Sequence, residues 1–119
     1  MVIRGYEDLE VYKISYQLTL KMYEITRKYP AEEKYNLISQ IRRSSMSIVL
    51  NIVEGYGRKD SAKEFKHFLR NALGSTNETR VLLKISRDLG YIEEEEHNNL
   101  EEEYEKLSKM IYRLMQSWK

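Results

Sequence analysis

Leu9-Glu10-Val11-Tyr12-Lys13-Ile14-Ser15-Tyr16-Gln17-Leu18-Thr19-Leu20-Lys21-Met22-Tyr23-Glu24-Ile25 is apolar at helical spacing twice over. Leu9, Tyr12, Tyr16, Leu20 and Tyr23 recur every three or four residues, and so do Val11, Ile14, Leu18, Met22 and Ile25. At about 100° per residue the second set lies nearly opposite the first. One stripe suffices for a helix on the outside of a small bundle. A helix with two must bury both, and a chain of 119 residues offers the second no partner of its own. The pattern therefore predicts a helix that also meets another copy of the chain through one of the two faces, with Val11, Ile14, Leu18, Met22 and Ile25 as the candidate oligomer interface and the opposite stripe as the alternative.

The breaks that follow divide the chain into three more segments of similar length. Asp8 is placed to cap the first helix, expected over about Leu9 to Tyr29, and Pro30 stops it, since proline disfavours the α conformation in the residue before it. Ala31 to Tyr35 has room for one further turn. Asn36 can open a second helix from Leu37 to about Tyr56, closed by Gly55 and Gly57. Ser61-Ala62-Lys63-Glu64 is a capping box for a third, which ends near Leu89 with Gly90 just beyond it. A fourth runs from about Glu93 to Trp118, glutamate-rich at its positive end and lysine-rich at the other. Short links between long helices imply antiparallel neighbours. The fold expected is all-α, an up-down antiparallel four-helix bundle forming one domain over residues 1–119.

The second helix shows the same excess of apolar surface. Leu37, Ile41, Ile48 and Ile52 form a stripe that Met46, Val49, Leu50 and Val53 widen well beyond what a bundle needs. Charged residues make up 33% of the chain and hydrophobic ones 41%, with a mean hydropathy of −0.67, as in a folded soluble domain. No apolar run approaches the roughly 20 residues that span a bilayer. The start lacks the basic and apolar regions of a signal peptide. There is no cysteine, hence no disulfide and no thiolate chemistry. A cytoplasmic setting is expected, with no membrane partner.

Two polar stripes invite a chemical reading. Gln40, Ser47, Asn51 and Glu54 share one face of the second helix, and Asn71, Ser75 and Glu78 one face of the third. The latter continues as Leu82, Ile85 and Leu89, which suggests partial burial of its polar end. Buried carboxylates need donors, and Arg43, Asn51 and Asn71 could serve. Glu64-x-x-His67 matches a di-iron bundle ligand pair once, but has no second copy and sits among Lys63, Lys66 and Arg70. A structural polar network that fixes helix register is the preferred reading, with no metal and no cofactor. Gly55-Tyr56-Gly57-Arg58-Lys59 lacks the lysine-serine pair and preceding strand of a phosphate loop. Nothing supports a catalytic nucleophile.

Charge is distributed unevenly. Residues 36–90 carry ten Lys/Arg against five Asp/Glu, whereas residues 91–105 carry eight Glu and no Lys/Arg. Arg58 and Lys59, then Lys63, Lys66 and Arg70 at helical spacing, with Arg42 and Arg43 on the second helix, form a candidate grip on nucleic-acid phosphates. The plainer alternative is a solvated face neutralised by nearby acids.

Ser39-Gln40-Ile41-Arg42-Arg43-Ser44, Ser47-Ile48 and Asn51-Ile52-Val53-Glu54-Gly55-Tyr56-Gly57-Arg58 resemble the four-helix bundle proteins of the ribosomal-RNA intervening-sequence family. So do Lys63-Glu64-Phe65, Phe68-Leu69, Ala72-Leu73-Gly74-Ser75, Glu78, Asp88-Leu89-Gly90-Tyr91-Ile92 and the opening Tyr6-Glu7-Asp8-Leu9-Glu10-Val11. The resemblance implies a small bacterial protein with an up-down bundle assembled as a ring-shaped homopentamer, and no catalytic residues. It extends to the accessory variability protein of diversity-generating retroelements, which implies RNA or DNA and a nucleic-acid-processing enzyme as partners. Departures are Val49 where the family often has proline, Leu50 and Val53 where alanines are common, and Arg80 and Leu82 where the family shows further acid and amide groups. The combined reading is a non-enzymatic oligomeric scaffold that contacts RNA or DNA through a basic face. The competing one is a purely structural or protein-binding oligomer.

Overall fold

Helix α1 begins one residue later than its sequence suggests. In the computed structural model, which describes residues 2–119, α1 spans Glu10–Thr26 with Leu9 at its N-cap. Met1 lies outside the described residues. The Asp8 carboxylate turns away from α1. It accepts from the Arg4 and Gly5 amides at 2.8 and 3.3 Å and closes a 3-10 turn over Tyr6–Asp8.

The far end of α1 also falls short of Pro30. Arg42 reaches across from the next helix, donating from Nε to the Thr26 hydroxyl at 2.9 Å and from its terminal nitrogen to the Tyr23 carbonyl at 3.3 Å. It thereby satisfies acceptors that the end of a helix leaves open. A second 3-10 turn, Ala31–Glu33, leads to α2 over Leu37–Tyr56. Asn36 precedes α2 without capping it, because its side-chain oxygen accepts from Gln40 Nε2 at 2.7 Å. Ser61 caps α3, Ala62–Asp88, by accepting from the Glu64 amide at 3.2 Å. Gly90 follows with φ +84°, a left-handed conformation that glycine adopts without steric cost. Helix α4 spans Glu94–Ser117, with Glu94, Glu95 and Glu96 on its positive first turn.

The four helices run up and down as expected. Trp118 and Lys59 meet at one end, where the indole Nε1 donates to the Lys59 carbonyl at 3.2 Å and the Trp118 ring stands edge-on to Phe65. At the other end the Tyr91 hydroxyl donates to Glu33 at 2.8 Å and the Tyr29 and Tyr91 rings lie 5.2 Å apart. Between them α2 packs on α1 and most extensively on α3, α3 packs on α4, and α1 meets α4 along a shorter seam.

The core corrects the interface expected on α1. Val11, Leu18, Met22 and Ile25 are buried within the chain, and Ile14 is half-buried against them. They pack with Ile41, Ile48, Ile52, Phe65, Leu69, Leu83, Leu100, Leu107 and Ile111, each worth roughly 2 kcal/mol of burial. The face was chosen by what lies between its large residues. Ser15, Thr19 and Thr26 are small and buried, and the Thr19 hydroxyl is shared between the Ser15 carbonyl on its own helix and the Ser45 carbonyl on α2. The opposite face carries tyrosine rings at those positions and would hold the helices apart. Tyr16 and Leu20 are consequently the exposed ones.

Small residues also set the α2–α3 contact. A Cβ on Gly55 would lie 2.9 Å from Phe68 Cβ and 3.0 Å from Phe65 Cδ1. Further along, Ser44 and Thr79 share a hydrogen bond at 2.7 Å, and Ser47 and Ser75 one at 2.8 Å. Gly74, in the middle of α3, has nothing within 4 Å of such a Cβ. The two glycines should therefore respond to alanine with opposite signs. Overpacking costs roughly 1–3 kcal/mol against about 1 kcal/mol gained in helix propensity, so Gly55→Ala is expected to destabilise by about 1 kcal/mol. Gly74→Ala should stabilise by about 0.5–1 kcal/mol. Urea denaturation midpoints of the two variants check this.

Candidate functional site

Only part of the expected polar network forms. Ser47, Asn51 and Ser75 are half-buried between α2 and α3, with Asn51 Nδ2 donating to the Ser47 carbonyl at 2.8 Å and to its hydroxyl at 3.0 Å. Gln40, Glu54, Asn71 and Glu78 are exposed. Gln40 binds Asn36, and Glu54 accepts from Arg58 at 2.8 Å. The correction has a simple cause. The stripe they share points outward beside the α2–α3 contact, not into it, so only its smallest members reach the partner helix. Ile85 and Leu89, read as the apolar continuation of a buried face, are exposed for the same reason.

The buried polar layer lies one position over and had no obvious sequence signature. Thr19, Ser44, Ser45, Thr76 and Thr79 are all buried at mid-bundle. Most return their hydroxyls to carbonyls on their own helix, as serine and threonine in helices do. These residues read as ordinary polar positions in the sequence, and only their pairing across helices shows their role.

The arginines and lysines separate into three groups. Arg42 is structural: besides its two hydrogen bonds it lies over the Tyr23 ring at 4.6 Å. That removes it from a phosphate-binding set. Arg43 is exposed and one position further round α2, in the half of that helix away from Arg58, which lies in the turn beyond its C-terminal end. Arg58 is held by Glu54 and Glu64 and lies over Phe68, while Lys59 lies over Tyr56. Lys63 and Arg70 are exposed and Lys66 half-buried on one face of α3, and no ion pair engages any of the three among the described residues.

The antiparallel arrangement turns the uneven charge of the sequence into a division along the bundle axis. Cutting each helix at its middle places residues 2–18, 47–75 and 106–119 in one half and residues 19–46 and 76–105 in the other. The first half holds eleven Lys/Arg and six Asp/Glu, the second nine and thirteen. Lys63, Lys66 and Arg70 sit in the basic half, and the α4 glutamates in the acidic one.

A groove of about 340 Å³ runs between α1 and α2, lined by Tyr16, Thr19, Leu20, Tyr23, Met46, Val49 and Leu50. Leu20 is 51% exposed and Leu50 58%. Val49 is buried beneath them, and Leu50 widens the apolar lining where the resemblance implies alanine. Arg80, another departure, pairs with Glu101 across α3 and α4, its Nε donating at 2.9 Å. Leu82 joins the core.

Among the described residues no three His, Asp or Glu side chains gather closely enough to share a metal ion. Glu64 is paired with Arg58, and His67 is exposed beside Phe68. The most displaced titration belongs to Tyr104, fully buried in the core without a hydrogen-bond partner for its hydroxyl. Burial, and secondarily the nearby Glu103 charge, push that hydroxyl well above its ordinary value of 10.0. Its contribution to stability is therefore complete below about pH 10 and is lost as the pH rises beyond it, because the unfolded tyrosine ionises first. Tyr104→Phe should raise stability at pH 7 by about 1 kcal/mol, since an unpartnered hydroxyl is removed without a cavity. It should also flatten the loss of stability above pH 10. Urea denaturation of both proteins at pH 7 and pH 11 measures the two effects.

These features define an all-α antiparallel four-helix bundle with an apolar groove, a basic half and an acidic half. Its sequence matches the model of the 23S rRNA-intervening sequence protein family over residues 7–113, and the chain belongs to that family. Its fold is similar to the crystal structure of a protein of unknown function from the S23 ribosomal protein family of Bacteroides thetaiotaomicron. The TM-score is 0.81 at 24% identity, covering 90% of this chain and 96% of that one. Comparison with curated proteins gives no match.

Proposed function

We propose that the protein is a non-catalytic, self-associating helical scaffold whose basic half contacts RNA or DNA. The observation that carries the nucleic-acid reading is the set of unengaged cations on α3. Lys63, Lys66 and Arg70 share one face of a helix, lie in the half with excess positive charge, and have no carboxylate partner among the described residues. Cations left unpaired on a rigid helix retain their attraction for phosphates, and released counterions supply the binding energy. Arg58 and Lys59 border this surface, already steadied by Glu54, Glu64 and Tyr56, so they add charge with less freedom.

Self-association is supported by the α1–α2 groove, whose apolar lining and exposed Leu20 and Leu50 offer surface that a second copy would cover. The resemblance implies a ring-shaped homopentamer, which would repeat the basic half around an axis. The likeness of the sequence to the accessory variability protein adds a nucleic-acid-processing enzyme as a third component. A cytoplasmic setting belongs to the same proposal; no described helix is long and apolar enough to cross a membrane. The second reading, a protein-only scaffold, draws on Arg42, Arg58 and Lys59, whose charges are partly used within the chain.

Electrophoretic mobility shift with single-stranded and duplex RNA and DNA at several salt concentrations tests the proposal. Affinity should fall steeply with salt, by about 0.9 log units per log unit of salt for each duplex phosphate contacted. Lys63→Glu/Lys66→Glu/Arg70→Glu should bind at least tenfold more weakly at the lowest salt and with a shallower slope. Wild-type affinity in this variant, or no shift by the natural protein, would leave the protein-only reading.

A further inference from the structure

The basic strip on α3 does not stop at Arg70. Lys66, Arg70, Leu73 and Asn77 follow at spacings of four, three and four, so they lie along one side of the helix. Lys63 begins the strip one turn earlier, and from it to Asn77 the helix extends about 21 Å. The line leads into a pocket of about 370 Å³ between α3 and α4, lined by Leu73, Asn77, Ser108, Lys109, Tyr112 and Arg113. Leu73 and Ser108 are half-buried and form its floor, while Asn77, Lys109, Tyr112 and Arg113 stand exposed around it.

Tyr112 is the feature that charge alone does not account for. The residue is 54% exposed, and among the described residues no other aromatic ring or cationic group of the chain lies over its ring. The charges about it are mostly positive. Arg70, at the approach to the pocket, and Arg113, on its rim, form no ion pair among the described residues. Lys109 is paired with Glu105 at 3.2 Å, so those two offset each other. Glu78 follows Asn77 but projects about 100° further round α3. Arg113 also borders the cleft on the α1 side of α4, where Glu10 is engaged by Lys13 at 3.4 Å.

A cationic track that ends at an open aromatic face suits an unpaired nucleotide. Bases stack on aromatic side chains whatever the sequence, and a positive groove follows the backbone. A base inside a duplex is covered by its neighbours, so it has no free face to lay on a ring; an unstacked base of a single strand has one. We propose that the pocket takes one unstacked base of a single-stranded nucleic acid, lying on Tyr112 with its edge toward Asn77. Lys63, Lys66 and Arg70 hold the phosphates on one side of that base, and Arg113 the phosphate on the other. This rests on the nucleic-acid reading above and goes beyond it by naming the class of strand and the residue that selects it. The Asn77 amide offers a donor and an acceptor together, so it can meet the edge of any base. The pocket therefore distinguishes unpaired from paired strands and leaves sequence unread.

Fluorescence anisotropy with labelled oligo(U), oligo(dT) and their duplexes of equal length with oligo(A) and oligo(dA) tests the assignment at low salt. The natural protein should bind the single strands about tenfold more tightly than the duplexes, the size of effect that one stacked base supplies. Tyr112→Ala should lose about tenfold for single strands and nothing for duplexes, whereas Tyr112→Phe keeps the ring and the affinity. A purely electrostatic surface would respond to neither change. Tyr112 is exposed, and circular dichroism verifies that the variants remain helical. A second measurement does not depend on weakening the contact. In Tyr112→Trp the intrinsic fluorescence should be quenched by oligo(dT) beyond any change that Trp118, the one natural tryptophan, shows in the unaltered protein. If the natural protein binds neither single strands nor duplexes, the nucleic-acid reading fails and this inference with it. If it binds but holds duplexes as tightly, if Tyr112→Ala binds single strands unchanged, or if Tyr112→Trp is not quenched, only the assignment of the pocket is overturned. Quenching by thymidine monophosphate as complete as that by oligo(dT), at equal nucleotide concentration, also overturns it, since the pocket would then take free nucleotides.

Discussion

How near α2 can come to α3 governs the rest of the bundle. Gly55 leaves room for Phe65 and Phe68 at one end of that contact, and Ser44, Ser47, Ser75 and Thr79 fill it with short side chains further along. Close approach leaves no space for long polar groups, which is why Glu54 and Glu78 remain outside. It also obliges buried hydroxyls to find partners at once, and they do so across the helix pair or on their own carbonyls. The other helices then dock on the frame that α2 and α3 provide, α1 on one side through Thr19 and Ser45, α4 on the other through Arg80 and Glu101.

Much of this architecture was legible in the sequence because helix boundaries and apolar periodicity are local. Ser61 and Gly90 marked helix ends correctly, Asn36 marked the start of α2 without capping it, and the α2 stripe of Leu37, Ile41, Ile48 and Ile52 is core throughout. The face of α1 that turns inward was not legible. Both stripes have similar apolar character, and the choice depends on the small residues between them fitting Ser45 on another helix. Polarity patterns give a helix's faces but not the closeness of its neighbour.

The candidate site divides along the same line. That Lys63, Lys66 and Arg70 share a face followed from their spacing alone. That Arg42 is spent on the end of α1 and Arg43 is not could not follow, since adjacent residues of one type differ here only by 100° of rotation. Leu82, Ile85 and Leu89 read together as the apolar continuation of the Glu78 stripe, yet only Leu82 is buried, because it lies with Leu83 on the side of α3 turned inward.

The division of charge between the two ends has a consequence in terms of screening. At physiological ionic strength electrostatic influence decays over about 8 Å, whereas the bundle is 44 Å long. Its ends are thus electrically independent. Neutralising the basic end with a polyanion leaves the field at the α4 glutamates unchanged, so a cationic ligand could settle there without either event weakening the other. One small rigid body can in this way present two surfaces of opposite preference that do not communicate through charge.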